Sequence, residues 1–312
     1  MHRRPLSSLA AVVLALVLAG CGSEAQQQEQ PAGTTRPAQE FPVILAAANG
    51  KLTIPERPSR IVSLSPTSTE SLFAIGAGPQ VVAVDDQSDY PPQAPQTKLS
   101  GYTPNAEAIA GYRPDLVVLS GNENNIIPAL EKLGIPVLLH PAVDDLEGAY
   151  RQIGQLGLAT GHRHEAARTV ERMKARIGTL VESVPASERP LSVYHELSPD
   201  GYSATSKTFI GRVYELFGLR NVADKADSSG SGYPQLSSEY LVASNPDLIV
   251  LADTACCEQT AERVAARPGW DQIAAVEKGA VVEVDDSVAS RWGPRIVDFV
   301  AAVARALKEQ PR

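Results

Sequence analysis

Beyond residue 20 the chain holds no apolar run long enough to cross a bilayer, and its one uninterrupted run, Leu9 to Leu18, falls short of the roughly 20 residues required. Catalytic signatures are missing too. No serine sits in a G-x-S-x-G elbow, no H-E-x-x-H is present and no glycine-rich loop could cradle phosphate, which argues against a hydrolase or a nucleotide-driven machine. Basic residues are outnumbered, 28 against 36 acidic, so nucleic acid is not an expected partner. Aromatic residues make up only 5%, and cysteines number three. What remains is a hydrophobic content of 43%, enough over some 270 residues for two domain cores.

The short apolar run has a purpose of its own. Arg3 and Arg4 precede it, and Leu18-Ala19-Gly20-Cys21 closes it, a layout that resembles a secretory signal ending in the lipobox of bacterial lipoproteins. Residues 1–20 are thus expected to be a signal peptide, with Cys21 acylated after cleavage and the chain held at the outer face of the cytoplasmic membrane, periplasmic where an outer membrane exists. Without Arg3 and Arg4 the net charge is about −10. Residues 21–41, rich in Gln, Pro, Thr, Ala and Glu, lack apolar periodicity and read as a flexible tether. The two other cysteines are adjacent, Cys256 and Cys257. In an oxidising compartment this pair is expected to form a vicinal disulfide; two buried thiols are the plainer alternative, and a redox or metal role ranks third because CC lacks zinc-site spacing.

From Ile44 onward short apolar runs alternate with helical patterns, the signature of sheets covered by helices. Residues 42–144 read as a first α/β lobe, with strands at 60–64, 81–84, 116–119 and 137–139 and helices near 105–111 and 123–133. Thr67-Ser-Thr-Glu70 reads as a capping box opening a helix over Ser71 to Ile75. Residues 188–312 read as a second α/β lobe, with strands at 191–194, 248–251 and 281–284 and helices at 207–217, 237–244, 258–266 and 293–308. Between them residues 145–187 form a helical connector, interrupted near Thr160-Gly161 and then running from His162 to Val184 as one long interlobe helix.

A near repeat ties the lobes together. Tyr102-Thr-Pro-Asn-Ala-Glu107 leads to Arg113-Pro-Asp-Leu-Val-Val-Leu119, and Tyr233-Pro-Gln-Leu-Ser-Ser-Glu239 leads to Asn245-Pro-Asp-Leu-Ile-Val-Leu251. Each copy reads as a short helix, a Pro-Asp turn and a buried strand, so the fold class expected is two pseudo-symmetric α/β lobes with a ligand cleft between them. These residues, with Pro58-Ser-Arg-Ile-Val-Ser-Leu-Ser-Pro66, Thr69-Glu70, Ser88-Asp-Tyr-Pro-Pro92 and Ser290-Arg-Trp-Gly-Pro-Arg295, resemble the class III, helical-backbone substrate-binding proteins for cobalamin and ferric siderophores. The resemblance runs from about Arg57 to the C-terminus. It implies an ABC-importer binding protein, a monomer and not an enzyme, that carries a cobalt or iron chelate as cargo and needs no cofactor of its own.

Ligand sites in open α/β sheets lie beyond the carboxyl ends of strands and between domains. That rule nominates loops carrying Ser65, Tyr90, Tyr102, Tyr233, Arg291 and Trp292 as ligand-binding. The aromatics could offer flat faces with polar tips to a large rigid chelate, or could simply pack at a lobe edge. Arg291 could grip a carboxylated siderophore. Glu107 and Glu239 each follow a cap residue, Asn105 or Ser237, where the helix dipole alone explains a carboxylate. The resemblance adds a second reading, one exposed glutamate per lobe docking on the two subunits of a symmetric ABC permease dimer. Ser-Asp-Tyr-Pro-Pro tilts the ligand towards cobalamin, with heme a further possibility. Competing expectations are a bare zinc or manganese site built from His140, His195 and Glu196, and a surface sensor that has lost its transporter.

Overall fold

The computed structural model describes residues 41–309. The signal peptide, Cys21 and all but the last residue of the tether lie outside the described residues. Two strands, β1 (Val43–Ala47) and β2 (Gly50–Ile54), form an antiparallel hairpin ahead of the first lobe. Lobe 1 is a five-stranded parallel sheet of β3 (Ile61–Leu64), β4 (Val81–Asp85), β5 (Gln96–Leu99), β6 (Leu116–Leu119) and β7 (Val137–Leu139), in the order β5-β4-β3-β6-β7. Its helices are α1 (Pro66–Ala74), α2 (Ala106–Ala110) and α3 (Ile126–Lys132).

Two connector helices follow, α4 (Leu146–Thr160) and α5 (Arg163–Glu182). Lobe 2 is a four-stranded parallel sheet of β8 (Ser192–Glu196), β9 (Arg220–Asn221), β10 (Leu248–Leu251) and β11 (Val281–Glu283), in the order β11-β10-β8-β9. Its helices are α6 (Phe209–Glu215), α7 (Ser238–Ser244), α8 (Thr254–Cys257), α9 (Ala261–Ala265), α10 (Ala274–Glu277), α11 (Asp286–Ser290) and α12 (Ile296–Glu309).

The Pro-Asp repeat has a structural meaning. In lobe 1 the Asp115 carboxylate accepts hydrogen bonds from the Ser59 amide (2.8 Å), the Ser59 hydroxyl (2.9 Å) and the Arg60 amide (2.9 Å). In lobe 2 Asp247 accepts from the Ser192 amide (2.9 Å) and the Ser192 hydroxyl (2.8 Å) and pairs with Arg189. Each aspartate therefore staples the start of one strand to the start of its parallel neighbour, β6 to β3 and β10 to β8. That fixes the same pairing in both lobes, Ile61 opposite Leu116 and Val193 opposite Leu248. Matching strand order and matching staples make the two lobes pseudo-symmetric.

Successive strand residues face opposite sides of a sheet, and both sides here are covered. Ile61, Leu116 and Val118 face α1 and the connector, whereas Val62, Val117 and Leu119 pack with α2 and α3. The first of these cores does not stop at the lobe boundary. It continues through Ile153 and Leu156 of α4 and Met173 and Ile177 of α5 to Phe299 and Val303 of α12. One apolar core shared by both lobes and the connector resists wide hinge opening, because separating the lobes would expose it.

The connector turns sharply at Gly161, whose φ of 78° is the left-handed conformation that glycine adopts without strain. After it, α5 buries Ala166, Thr169, Met173, Ile177 and Leu180, a stripe at helical spacing. Its 20 residues span about 30 Å. The start of α1 departs from expectation. Its N-cap is Ser65, not Thr67, with Pro66 at the first position, so Glu70 lies well inside the helix and caps nothing. Further elements were not foreseen from the pattern, among them the β1-β2 hairpin, the polar edge strand β5, the two-residue β9 and the short helices α8, α10 and α11.

Candidate functional site

The carboxyl ends of β3, β4 and β5 in lobe 1 and of β9 and β11 in lobe 2 lead into the loops nominated above. The segment after α11 crosses from lobe 2 to lobe 1 and joins them through ions. Glu70, only 3% exposed, accepts from two arginines. Arg295 grips it with both Nε (3.0 Å) and Nη2 (2.6 Å), and Arg291 Nη1 adds a third bond at 3.0 Å. Arg291 also donates to Asp89 (2.7 Å) and to the Gln87 carbonyl (3.0 Å). Gly293 sits between the arginines, where an added Cβ would lie 3.4 Å from both Glu70 Oε2 and the Thr67 carbonyl, so the chain passes close to α1.

Aromatic groups flank this junction. The Arg295 guanidinium lies 4.1 Å from the centre of the Tyr90 ring. The Trp292 indole donates to Gln152 of α4 (2.9 Å) and meets Phe209 of α6 edge-on with centroids 6.4 Å apart. Tyr90, Arg291 and Trp292 thus come together with Glu70, whose part was not foreseen. Tyr102 stands 77% exposed on the lobe-1 rim, and Tyr233 stands 49% exposed on the lobe-2 rim. Partial burial raises the Tyr233 phenol above its usual range, and Asp144 at the start of the connector adds to the shift. Tyr202 was overlooked; it is 46% exposed, and its backbone bridges to Gln235, next to Tyr233-Pro234. Its position in the loop after β8 was the available signal.

Ser65 sits otherwise than expected of a ligand contact. It is 2% exposed and its hydroxyl accepts from the Ser68 amide, so it serves as the cap of α1. Arg291, read from sequence as a grip for a carboxylated siderophore, already donates to Glu70, Asp89 and the Gln87 carbonyl. The metal trio does not assemble either. His195 and Glu196 are successive strand residues and face opposite ways. His195 bonds the Tyr214 hydroxyl (2.6 Å) within the core, while Glu196 is held by both Nη atoms of Arg267 at 2.6 Å. His140 lies in lobe 1, and among the described residues no group of three or more His, Cys, Asp or Glu could hold an ion.

Beneath the junction lies a buried polar chain. Thr69 donates to Ser63 (2.9 Å), its hydroxyl lies 3.0 Å from that of Ser88, and Ser88 donates to Asp85. Burial pushes the Asp85 carboxyl up to about 6, which the Ser88 bond only partly offsets. An acid whose folded pKa is raised binds more protons when folded, so it lowers stability as pH rises from about 4 through about 6. Asp85→Asn is therefore expected to gain up to about 3 kcal/mol relative to wild type between pH 4 and pH 7.5. Paired melts across that range check the sign; comparison with wild type cancels His140 and His195, which burial lowers to about 4 and about 3.

A separate depression of about 430 Å³ lies within lobe 2 rather than between the lobes, lined by Tyr194, Trp270, Arg267, Gln235 and Ser238 among others. Glu107 and Glu239 occupy equivalent first-turn positions of α2 and α7. Both are exposed, and both helices are capped by the preceding side chain, Asn105 to Ala108 at 2.9 Å and Ser237 to Tyr240 at 3.2 Å. The backbone amide of Glu239 and the Ser237 hydroxyl hold the Glu239 carboxyl below its usual range.

Two pseudo-symmetric lobes, a rigid helical connector and an aromatic-rimmed junction between sheet ends define a bilobal solute-binding protein. A family model described as periplasmic binding protein matches residues 61–288, and the chain belongs to that family. It is 32% identical to a cobalamin-binding protein of Halobacterium salinarum over 98% of this chain and 85% of that one. It is 31% identical, over 98% of both, to an uncharacterized ABC transporter substrate-binding lipoprotein of Bacillus subtilis. The crystal structure of the periplasmic vitamin B12-binding protein of Vibrio cholerae superposes with a TM-score of 0.67 at 27% identity, covering 80% of this chain and 96% of that one. A periplasmic heme-binding protein from Roseiflexus sp. RS-1 shares the fold, with a TM-score of 0.70 at 22% identity over 80% and 98% of the two chains.

Proposed function

We propose that this protein is the lipid-anchored receptor of an ABC importer, capturing a cobalamin-type corrinoid between its lobes and delivering it to the permease. The observation that carries the reading is the cross-lobe junction: Glu70 and Asp89 together neutralise Arg291 and Arg295, and exposed tyrosines stand on both lobes. A corrinoid presents a flat apolar edge and neutral amides. Aromatic faces with hydroxyl tips suit both, and arginines already paired leave no free cation that a carboxylated siderophore would need. The relatives named for cobalamin and vitamin B12 support the same ligand. Capture is non-covalent.

Delivery rests on Glu107 and Glu239. Related by the pseudo-symmetry of the lobes, they offer one exposed carboxylate to each subunit of a two-fold permease. Exposed ion pairs are worth about 0–1 kcal/mol each, weak enough to let the empty receptor leave. Cys21 supplies the anchor, and the monomeric receptor then searches the membrane surface on its tether.

Tyr102→Ala and Tyr233→Ala test the ligand site. Each is expected to weaken cyanocobalamin binding about 2- to 10-fold by calorimetry, the value of one aromatic contact, with the melting temperature unchanged for the largely exposed Tyr102 and little changed for the half-buried Tyr233. Affinity unchanged in the double variant would move the ligand away from the tyrosine rim.

A further inference from the structure

The loop that follows β10 is held far more tightly than an exposed connection requires. The sulfur atoms of Cys256 and Cys257 are joined as a disulfide between adjacent residues, with Cys256 exposed and Cys257 half-buried. The Asp286 carboxylate accepts from the amides of Ala255 (2.9 Å) and Cys256 (2.8 Å), and the Thr254 hydroxyl donates to the Val284 carbonyl (3.1 Å). On the far side, Gln259 donates to the Cys257 carbonyl (3.0 Å). Between these anchors Glu258 ends α8 with a φ of 53°, a left-handed conformation uncommon for a residue with a side chain.

One anchor leads to the cross-lobe junction and the other to the carboxyl end of β8. Asp286 opens α11, which ends at Ser290, so the next residue is Arg291 of the cross-lobe junction. Gln259 accepts from Arg267 (2.8 Å), which grips Glu196 at the carboxyl end of β8. Asp253, fully buried, begins the loop, its carboxyl raised well above the ordinary range by burial and by neighbouring Glu196. The disulfide thus closes a ring within a loop that spans two elements bounding the cleft in lobe 2. That ring removes torsional freedom from the Cys256-Cys257 peptide and presents polarisable sulfur at the surface.

We propose that the Cys256–Cys257 disulfide is a working part of the ligand site: oxidised, it holds loop 253–259 ready to receive the chelate, and a dithiol reductant that opens it weakens binding. The proposal rests on the cleft reading above. The chemistry balances as thiol–disulfide exchange. A thiolate of the dithiol attacks one sulfur, a mixed disulfide forms, and the reductant's second thiol resolves it; two electrons and two protons pass to this protein, leaving two cysteine thiols here and a disulfide in the reductant.

The test uses the full-length protein with cyanocobalamin as probe, in three forms: oxidised, reduced with a dithiol and freed of it under anaerobic conditions, and the redox-inert Cys256→Ser/Cys257→Ser variant. Thiol titration fixes the redox state of each, and hydrogen exchange reads the loop. The expected result is about tenfold weaker binding in the reduced and serine forms, with faster exchange confined to residues 253–259 and the melting temperature retained. Equal affinity in all three forms overturns the proposal and leaves the cleft reading standing. Absence of binding by the oxidised form overturns the cleft reading, and this proposal with it.

Discussion

Glu70→Gln is expected to cost about 3–5 kcal/mol of stability, an effect far larger than its surface neighbours would show. The carboxylate is buried and takes three bonds from Arg291 and Arg295, whose side chains are themselves only 14% and 19% exposed. Glutamine keeps the shape but not the charge, so two guanidinium groups remain in a partly desolvated site with one carboxylate, Asp89, to answer them. For a chain of this size the melting temperature should fall by on the order of 10 °C. The damage should also fall on the lobe junction, because both arginines belong to the far lobe. A drop below about 1 kcal/mol would mean that the junction is well hydrated and contributes little to holding the lobes together.

Reversing both docking charges, Glu107→Arg with Glu239→Arg, is expected to reduce ligand uptake by cells at least tenfold while leaving the affinity of the purified protein unchanged. The two side chains are exposed, lie in the first turns of α2 and α7, and form no part of either core. Their replacement therefore costs the fold little beyond the lost dipole contact. On the docking proposed above, each new arginine would turn attraction to the permease into repulsion, slowing encounter and weakening the docked state. On the proposed docking of one lobe per subunit, each single reversal should fall between wild type and the double variant. Normal uptake by the double variant, with ligand affinity intact, would place the docking surface elsewhere.

Much of the architecture could be read from local sequence. The Pro-Asp repeat announced itself because the staple it makes involves the strand start next to it, and the same bonds recur in both lobes. Strands such as Leu116–Leu119 and Leu248–Leu251 are continuous apolar runs, as sheets covered on both faces require. The less visible strands carry weak patterns: β5 buries one of its four residues, and β9 has only two. At the site, position was legible and partnership was not. Tyr90, Arg291 and Trp292 fell in loops that the strand-end rule nominates, yet Glu70 looked like a capping-box acid because Thr67 precedes it at the right interval. Its true partners lie 221 and 225 positions away, beyond the reach of any local pattern. Ser65 shows the converse: a strand-end hydroxyl read as a ligand contact is taken by the backbone of the next helix, a competition that serine enters wherever a helix begins.

The central claim, capture of a cobalamin-type corrinoid between the lobes, is tested most directly by fluorescence titration. The protein has two tryptophans, Trp292 at the junction and Trp270 in the lobe-2 core, so Trp270→Phe leaves Trp292 as the single reporter. Cyanocobalamin should quench it saturably with a dissociation constant of about 1 μM or tighter, and a carboxylated ferric siderophore should not compete. Quenching by the siderophore or by heme, with none by cyanocobalamin, would contradict the account.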